Sequence, residues 1–498
     1  MKLVRRLACM FLVISLSVCF ASCGYYGAGN YYGDVSNGGF STGESYTEIV
    51  ENEFISTETN PESYFSLDSN TASYPNLRSL LSNGYSIPKD AVRVEEMLNY
   101  FDYEYPSPTE NEVFSITGSL FDTPYNSETK LLTIGISAKK IEFSSIKNNI
   151  VFLIDTSGSM ASNDKLPLVQ ESFRLLAENL NAEDRVSIVT YAGAQSVALR
   201  GAYGYEKQKI TAVIEDLMAS GSTHGSAGIS TAYQIAEECF IEGGNNRVVL
   251  ATDGDFNVGI SDVNELEDFI AEKRETGIYF SVFGFGRGNV QSDKMEALAL
   301  AGNGVYSYID SQNEARRALV EQIGGSMVTV AKDVKAGIIF DQSYVTSYRL
   351  IGYENKLLNQ EEFEDSSTDA GEIGSGHTIT VVYELKVTKS KQNFPDDYEV
   401  AKVKIKYKPT ENVDFAHGTE TELSSAIKIS DYHSLPTEND IFVASVVEFA
   451  LILRDSAYKA NADINALITR LDTLDLSNDE YKLEFRELVK KYRERIEG

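Results

Sequence analysis

The sequence predicts an α/β protein in which a doubly wound, mostly parallel sheet is flanked by a β-sandwich and followed by a C-terminal helical segment. Between residues 148 and 328, apolar strands alternate with amphipathic helices, as in a parallel sheet covered on both faces. From residue 329, strands follow one another with short turns and no helices, which is typical of a sandwich. From residue 437, apolar side chains recur with a period near 3.6, which indicates helices.

The composition favours a protein of several domains that does not bind nucleic acid. The chain has 498 residues, of which 42% are hydrophobic, enough for more than one packed core. Its 74 acidic and 44 basic side chains give a net charge of −30. Because phosphate binding needs clusters of Lys and Arg, and none is visible, we expect no nucleic-acid partner.

Residues 1–22 are predicted to be a lipoprotein signal peptide. Lys2, Arg5 and Arg6 precede an apolar stretch that is short for a membrane span, and small residues then lead to Cys23. This order resembles a bacterial lipobox, which implies that Cys23 is lipidated and becomes the mature N-terminus. The protein would then be anchored to the cell membrane or envelope on the exported face. The alternative is a signal that is uncleaved, or cleaved without lipidation.

The rest of the chain divides into five predicted regions. Residues 23–46, rich in Gly, Tyr, Ser and Asn, are predicted to be a flexible tether. Residues 47–147 contain one helix and two strands, "VFSITGSL" and "KLLTIGISA", which should join the later sandwich because two strands alone are only marginally stable. The α/β domain then spans 148–328, the sandwich 329–436 and the C-terminal helices 437–498.

Polar side chains follow three of the predicted α/β strands. Asp155 ends "NIVFLID", and Ser157 and Ser159 come directly after it. Thr223 lies in "ASGSTHGSAG" before a helix, and Asp253 follows the strand in "VVLATDGDFN". Because ligand sites in open parallel sheets form at the carboxyl ends of the strands, we expect these five residues to line one crevice.

Two carboxylates and three hydroxyls are the ligands of a hard cation. Such an all-oxygen set suits Mg²⁺, with Mn²⁺ or Ca²⁺ as alternatives, and does not suit zinc. If both carboxylates bound Mg²⁺ directly, they would cancel its charge, whereas direct binding by the three neutral hydroxyls leaves that charge largely uncompensated. The metal would therefore attract one more anionic oxygen, which a Glu or Asp carboxylate of a partner protein can supply.

These motifs resemble the von Willebrand factor type A domain, whose metal-ion-dependent adhesion site has the pattern D-x-S-x-S, a Thr on a second loop and an Asp on a third. The resemblance implies that Ser157, Ser159 and Thr223 bind the metal directly, and that Asp155 and Asp253 often act through water. Across the whole chain, "RVEEMLNYFDYEYP", "TVAKDVK" and "RLIGYEN" are similar to the bacterial YfbK-like lipoproteins, which join this domain to a C-terminal region of unassigned function.

The leading functional hypothesis is a surface-anchored lipoprotein, not an enzyme, that binds an acidic protein through Mg²⁺. One alternative is a metal-dependent hydrolase or phosphotransferase, although residue 157 is Ser where a phosphotransferase motif needs Asp, and no G-x-S-x-G motif surrounds the serines. Another is a structural protein of envelope assembly that does not use the metal site. Nearby Asp164 is interpreted as a helix N-cap, with a second metal site as the alternative.

Overall fold

The computed structural model describes residues 44–192, 194–221, 228–254, 263–287, 291–388, 394–413 and 418–497. The predicted signal peptide, Cys23 and most of the predicted tether lie outside these ranges, as does Thr223.

The strands are numbered in chain order. They are β1 Ile55–Ser56, β2 Glu62–Ser66, β3 Phe114–Asp122, β4 Lys130–Ala138, β5 Asn148–Asp155, β6 Arg185–Ala192, β7 Ala194–Tyr203, β8 Asn245–Thr252, β9 Ile278–Phe285, β10 Tyr306–Ile309, β11 Thr329–Phe340, β12 Val345–Ile351, β13 Leu357–Leu358, β14 Gly371–Gly374, β15 Thr378–Val387, β16 Glu399–Pro409, β17 Thr421–Lys428 and β18 Tyr432–His433.

The α-helices are numbered in the same way. They are α1 Ser73–Ser82, α2 Val94–Asn99, α3 Leu166–Glu178, α4 Lys207–Glu215, α5 Gly228–Glu238, α6 Val263–Arg274, α7 Ser292–Ala301, α8 Gln312–Arg316, α9 Ile323–Met327, α10 Gln360–Glu364, α11 Glu438–Arg454, α12 Ile464–Leu471 and α13 Glu480–Glu497. Short 3₁₀ helices are Lys89–Ala91, Phe143–Ser145, Gly158–Ala161 and Ile429–Asp431, and Arg317–Glu321 is a π-helical turn. None of the described helices is both long and apolar enough to cross a membrane.

The α/β domain is built on a six-stranded sheet in the order β10-β9-β8-β5-β6-β7. All neighbouring strands are parallel except β7, which pairs antiparallel with β6. In the central strand β5, Phe152 and Ile154 enter the core on one face, and Val151 and Leu153 enter the core on the other. Burial on both faces explains the uninterrupted apolar run of β5, and the predicted doubly wound fold class is confirmed.

The sandwich is assembled from segments on both sides of the α/β domain. One sheet has the order β1-β12-β15-β4-β3-β18, and the other has the order β13-β2-β11-β16-β17, with β14 also paired to β11. Strands β3 and β4 precede the α/β domain, and β4 pairs antiparallel with β15, which follows it. The two sheets share one apolar core. The α/β domain is therefore inserted between strands of the same sandwich.

A third core joins the C-terminal helices to the segment before the sandwich. Phe442 of α11 and Phe485 of α13 pack with Tyr74 of α1 and Phe101. Arg78 of α1 is buried in the same region, and its guanidinium contacts three carboxylates from other parts of the chain. These contacts are Asp310 at 2.5 Å, Glu314 at 2.9 Å and Glu484 at 2.7 Å. Arg78 thus links the α/β domain to the C-terminal helices.

The segment "NEARRALVEQIGGSM", at the end of the α/β domain, is not a single regular helix. It is divided into α8, the π-helical turn and α9, and only Val328 separates α9 from β11. The π-helical turn carries buried Arg317, whose guanidinium donates to Glu314 and to the carbonyl oxygen of Tyr100 at 2.5 Å. Because a buried guanidinium must be paired, these contacts favour the local widening of the helix.

His377 lies beside this junction, and we expect it to make the stability of the protein sensitive to acid. Its ring lies so close to Gly325 that a Cβ on this glycine would come within 2.1 Å of it. Burial, and secondarily the charge of Arg317, lowers the pKa of His377 to about 4. An unfolded histidine titrates near 6.5, so the unfolded chain binds more protons between these two values, and stability falls as pH drops through this window.

We therefore expect His377→Gln to lose less stability than wild type when pH is lowered from 7 to 4.5. Because His377 is only half-buried, the difference should be at most about 2 kcal/mol. Chemical denaturation of both proteins at the two pH values measures this difference. The acid-induced loss of stability that comes from the carboxylates is the same in both proteins and cancels in the comparison. Equal acid-induced losses would show that His377 does not control the effect.

Candidate metal centre

Asp155 lies where the order of the parallel strands changes direction. It is the last residue of β5, with β6 paired on one side and β8 on the other. Its side chain is fully buried, and Oδ1 accepts a hydrogen bond of 2.7 Å from the amide of Ser157. Within the described part of the chain, Oδ2 has no close hydrogen-bond partner, although the buried hydroxyl of Tyr191 lies near the carboxylate and helps to lower its pKa. A buried carboxylate oxygen without a partner is costly, which indicates that this position is built for a ligand.

The two serines that follow bring their hydroxyls together. The Oγ atoms of Ser157 and Ser159 are 3.0 Å apart, and Ser157 is buried whereas Ser159 is exposed. The 3₁₀ helix Gly158–Ala161 follows directly, and its Met160 is fully buried in the core of the domain. Burial of Met160 anchors the loop, so that the two hydroxyls are held beside Asp155.

The residues just before Thr223 are attached to the same place, although Thr223 itself lies outside the described residues. The amide of Gly158 donates to the carbonyl of Gly221 at 3.2 Å, and the amide of Ser220 donates to the carbonyl of Thr156 at 2.8 Å. These two backbone hydrogen bonds connect the serine loop to the residues just before Thr223. The position of Thr223 at the site therefore stays a prediction.

Asp253 directly follows β8 and is also buried. Its Oδ2 is 2.7 Å from the ammonium of Lys165, which is only 11% exposed. The aliphatic part of Lys165 lies against Gly286, where a Cβ would come within 2.3 Å of the lysine Cγ. Gly286 also has φ +74°. Both this left-handed backbone conformation and the close approach of Lys165 favour glycine at this position. The chain thus supplies a cation of its own beside the candidate metal residues.

Lys165 was not predicted from the sequence as a site residue. The sequence feature that could have pointed to it is a lysine in the polar loop that begins at Asp155, immediately before α3. Its pairing with Asp253 joins residues 88 positions apart, which local patterns do not reveal.

The electrostatics of this centre favour a positive charge. Burial raises the pKa of Asp155 to about 6; the nearby charge of Asp253 acts in the same direction, and hydrogen bonds from Ser157 oppose it. A bound divalent cation would stabilise the ionised form of both carboxylates. In the described ranges, no three or more His, Cys, Asp or Glu residues come together as a metal cluster. The local donors are hydroxyl and carboxylate oxygens, which fit Mg²⁺ better than zinc.

The structure corrects the interpretation of Asp164 as a helix N-cap. The N-cap of α3 is Lys165, and no side chain caps this helix. Asp164 instead accepts hydrogen bonds from the Ser162 hydroxyl at 2.6 Å and from Arg287 Nε at 3.0 Å. Partial burial acts against ionisation, but these two partners hold the pKa of Asp164 below its ordinary value. In this structure the carboxylate of Asp164 is therefore engaged by Arg287, and a metal ligated there would have to displace that guanidinium.

The doubly wound domain belongs to the von Willebrand factor class. The family described as "von Willebrand factor type A domain" matches residues 149–322, which include all five predicted site residues. The family described as "von Willebrand factor" matches residues 41–133, and that described as "Uncharacterized protein YfbK, C-terminal" matches residues 325–494.

The chain belongs to the YfbK family of type A domain proteins, which confirms the resemblance seen in the sequence. It is 40% identical over 438 residues to "Uncharacterized protein YfbK" of Escherichia coli (strain K12), covering 84% of this chain and 75% of the relative. A more distant relative, inter-alpha-trypsin inhibitor heavy chain H4 of Sus scrofa, is 24% identical over 51% of this chain and 29% of its own length.

A solved structure described as "von Willebrand factor type A from Catenulispora acidiphila" is also similar to this chain. It is 16% identical, aligns with 70% of this chain and 81% of its own, and gives a TM-score of 0.40.

Proposed function

We propose that this protein is a lipid-anchored receptor of the cell envelope that binds a carboxylate of an acidic protein partner through Mg²⁺. The metal would be held by the two carboxylates and three hydroxyls predicted from the sequence: Asp155, Ser157, Ser159, Thr223 and Asp253. The observation that carries this proposal is the buried Oδ2 of Asp155, which has no close hydrogen-bond partner among the described residues and lies beside two converging serine hydroxyls.

Each described residue of the site has a distinct part in this proposal. The carboxylate of Asp155 fixes the serine loop through the Ser157 amide and leaves its second oxygen directed to the ligand. The hydroxyls of Ser157 and Ser159 are neutral donors, so they hold a cation without cancelling its charge. When bound, Mg²⁺ supplies a Lewis acid that accepts a carboxylate oxygen.

The charge of the chain makes recognition depend on the metal. With a net charge of −30, the protein repels an acidic partner at long range. Without a divalent cation, the site offers an incoming carboxylate no free positive charge, because Asp155 is itself a buried carboxyl group and the ammonium of Lys165 is already paired with Asp253. Binding should therefore be lost, and not merely weakened, when Mg²⁺ is removed.

A second constellation tests the hydrolase alternative and does not support it. Ser119, His433 and Asp440 lie together between the sandwich and α11, but the Ser119 oxygen at 3.1 Å and the Asp440 oxygen at 2.8 Å both contact the same nitrogen, Nδ1, of His433. Ser119 donates to Asp440 at 2.6 Å. A serine nucleophile needs the histidine between itself and the aspartate, so this arrangement is structural.

The proposed function is tested by affinity capture on intact envelopes, with wild type and Asp155→Ala compared in Mg²⁺ and in EDTA. We expect a partner that wild type captures only in Mg²⁺ and that the variant does not capture. Prior conversion of the partner's carboxylates to amides should abolish capture. Capture that is equal in EDTA, or equal for amidated partners, would contradict the proposal.

Membrane anchoring is expected to depend on Cys23. One buried acyl chain gives only marginal membrane binding at about 0.8 kcal/mol per CH₂, whereas two or more give stable anchoring. Cys23→Ala should therefore release the mature protein from membranes or leave it as the precursor. Fractionation together with N-terminal sequencing measures this outcome. A processed Cys23→Ala protein that stays in the membrane fraction would show that the anchor lies elsewhere.

A further inference from the structure

A cavity of about 350 Å³ lies against α7, away from the candidate metal centre. We call it the α7 cavity. It is formed by α7, by residues 355–358 around β13, by residues 369–372 at β14, and by the N-terminal segment that includes Asp68 and Arg93. Its volume is within the range of sites for small organic ligands. None of the described metal-centre residues lines it.

Acidic side chains outnumber basic ones in the lining of the α7 cavity. Its acidic members are Asp68, Asp293, Glu296, Asp369 and Glu372, and its basic members are Arg93 and Lys356. Both basic groups are already in ion pairs, and burial, opposed by the charge of Glu372, lowers the pKa of Lys356 to about 7. Lys356 pairs with Asp68 and, at 2.9 Å, with Glu296, and Arg93 is 3.1 Å from Glu296.

Two of the remaining carboxylates have oxygens without partners. Oε1 of Glu372 and Oδ1 of Asp293 are buried and accept no hydrogen bond from any described residue. The whole of Glu372 is only 2% exposed. Burial, followed by the charges of Asp369 and Asp333, raises the pKa of Glu372 well above its ordinary value, although the charges of Arg274 and Lys332 act in the opposite direction. A cationic ligand would relieve this unfavourable burial of a carboxyl group.

The same cavity also presents apolar surface. Leu300 and Leu357 line it, although they are 40% and 51% exposed. Leu358, Ala297 and Ala370 complete the apolar part of the lining. One exposed leucine is ordinary, but two at the mouth of one cavity with an acidic interior indicate a ligand with an apolar body and a charged end.

We propose that the α7 cavity binds a small organic cation, namely a primary alkylammonium. The ammonium group would donate hydrogen bonds to Glu372 and Asp293, and the alkyl chain would pack on Leu300 and Leu357. A metal ion fits less well, because the described carboxylates do not converge into a metal cluster and two cations already lie among them. An anion would meet more carboxylates than cations, even though Arg274 pairs with Asp369 at 3.1 Å.

Titration calorimetry of the full chain with n-hexylammonium, 1-hexanol and hexanoate at pH 7 tests this site. We expect saturable binding of n-hexylammonium and at least about 10-fold weaker binding of the other two probes, because only the ammonium satisfies the buried carboxylates. Absence of n-hexylammonium binding, or equal binding of 1-hexanol, would overturn the proposal.

Variants separate the polar from the apolar contribution. Glu372→Gln should weaken n-hexylammonium binding at least about 10-fold, whereas Glu361→Gln, at an exposed carboxylate nearby on α10, should not change it. If Glu372→Gln does not fold, Leu357→Ala at an exposed position should reduce the preference for n-hexylammonium over methylammonium. An unchanged preference would overturn the proposal.

This site is independent of the proposed metal function. Asp155→Ala and EDTA should leave n-hexylammonium binding intact. Loss of n-hexylammonium binding in both would instead assign the ligand to the metal centre and contradict the α7 cavity.

Discussion

Asp155→Ala is expected to abolish Mg²⁺ binding while the protein stays folded. The substitution removes a carboxylate whose Oδ2 makes no close hydrogen bond to the described residues and whose pKa is raised to about 6 by burial. Loss of the acceptor for the buried Ser157 amide should cost about 1–3 kcal/mol, which a fold of ordinary stability tolerates. At a Mg²⁺ concentration 100 times the dissociation constant, wild type should gain about 2.7 kcal/mol by mass action, and the variant should gain nothing. Thermal denaturation with and without Mg²⁺ measures both values.

Asp184 provides the matched control, because it is a buried aspartate of the same domain with a structural role. It accepts hydrogen bonds from the amides of Asn148 at 2.8 Å and Asn181 at 2.7 Å, at the end of β5 opposite to Asp155. Asp184→Ala should cost about 1–3 kcal/mol of stability, because buried amides lose their acceptor. Its Mg²⁺-dependent stabilisation should equal that of wild type. Equal Mg²⁺ stabilisation of Asp155→Ala and wild type would contradict the assignment of the site.

Lys165→Met is expected to increase the affinity for Mg²⁺. In the metal-free protein the Lys165 ammonium neutralises Asp253 at 2.7 Å, with exposures of 11% and 0%, and a metal must compete with this internal cation. Breaking a buried ion pair on one side costs about 3–5 kcal/mol, so the variant should be less stable without metal. Even if only about 1.4 kcal/mol of that cost is recovered on binding, the dissociation constant for Mg²⁺ falls about tenfold.

Lys147→Met is the control for this effect. Lys147 and Glu183 are also 2.7 Å apart, but both are well exposed, at 61% and 69%. Solvent screening leaves such a pair with little effect on stability, and neither group is at the metal centre. Calorimetric titration should therefore give wild-type Mg²⁺ affinity for Lys147→Met and higher affinity for Lys165→Met. A weaker affinity in Lys165→Met would mean that the lysine supports the metal centre instead of competing with the metal.

The features of the fold that sequence predicts best are those that local burial determines. Strand β5 is apolar at consecutive positions because its side chains enter two cores, so the parallel sheet is visible in its sequence. The position of Asp155 at the end of that strand follows from the same pattern. The pairing of the early strands with later ones, seen between β4 and β15, could also be predicted from the sequence, since two isolated strands need partners.

Features that depend on distant partners were not predicted. Helix α1 carries a buried Arg78, which is tolerated only because Asp310, Glu314 and Glu484 surround it. The pairing of Lys165 with Asp253, and hence the internal cation of the metal centre, is of the same kind. No local periodicity encodes such contacts, since they form when elements far apart in sequence pack together.

The central claim is that a metal at this site binds a carboxylate directly, and paramagnetic relaxation measures it most directly. Mn²⁺ replaces Mg²⁺ in oxygen sites, and it shortens the ¹³C relaxation time of any carbon attached to an oxygen in its coordination sphere. The probe is a peptide with one ¹³C-labelled Glu side-chain carboxylate, taken from the captured partner. We predict strong relaxation enhancement with wild type, and its loss with Asp155→Ala or when the carboxylate is amidated. Binding of the peptide without enhancement at the labelled carbon would contradict the account.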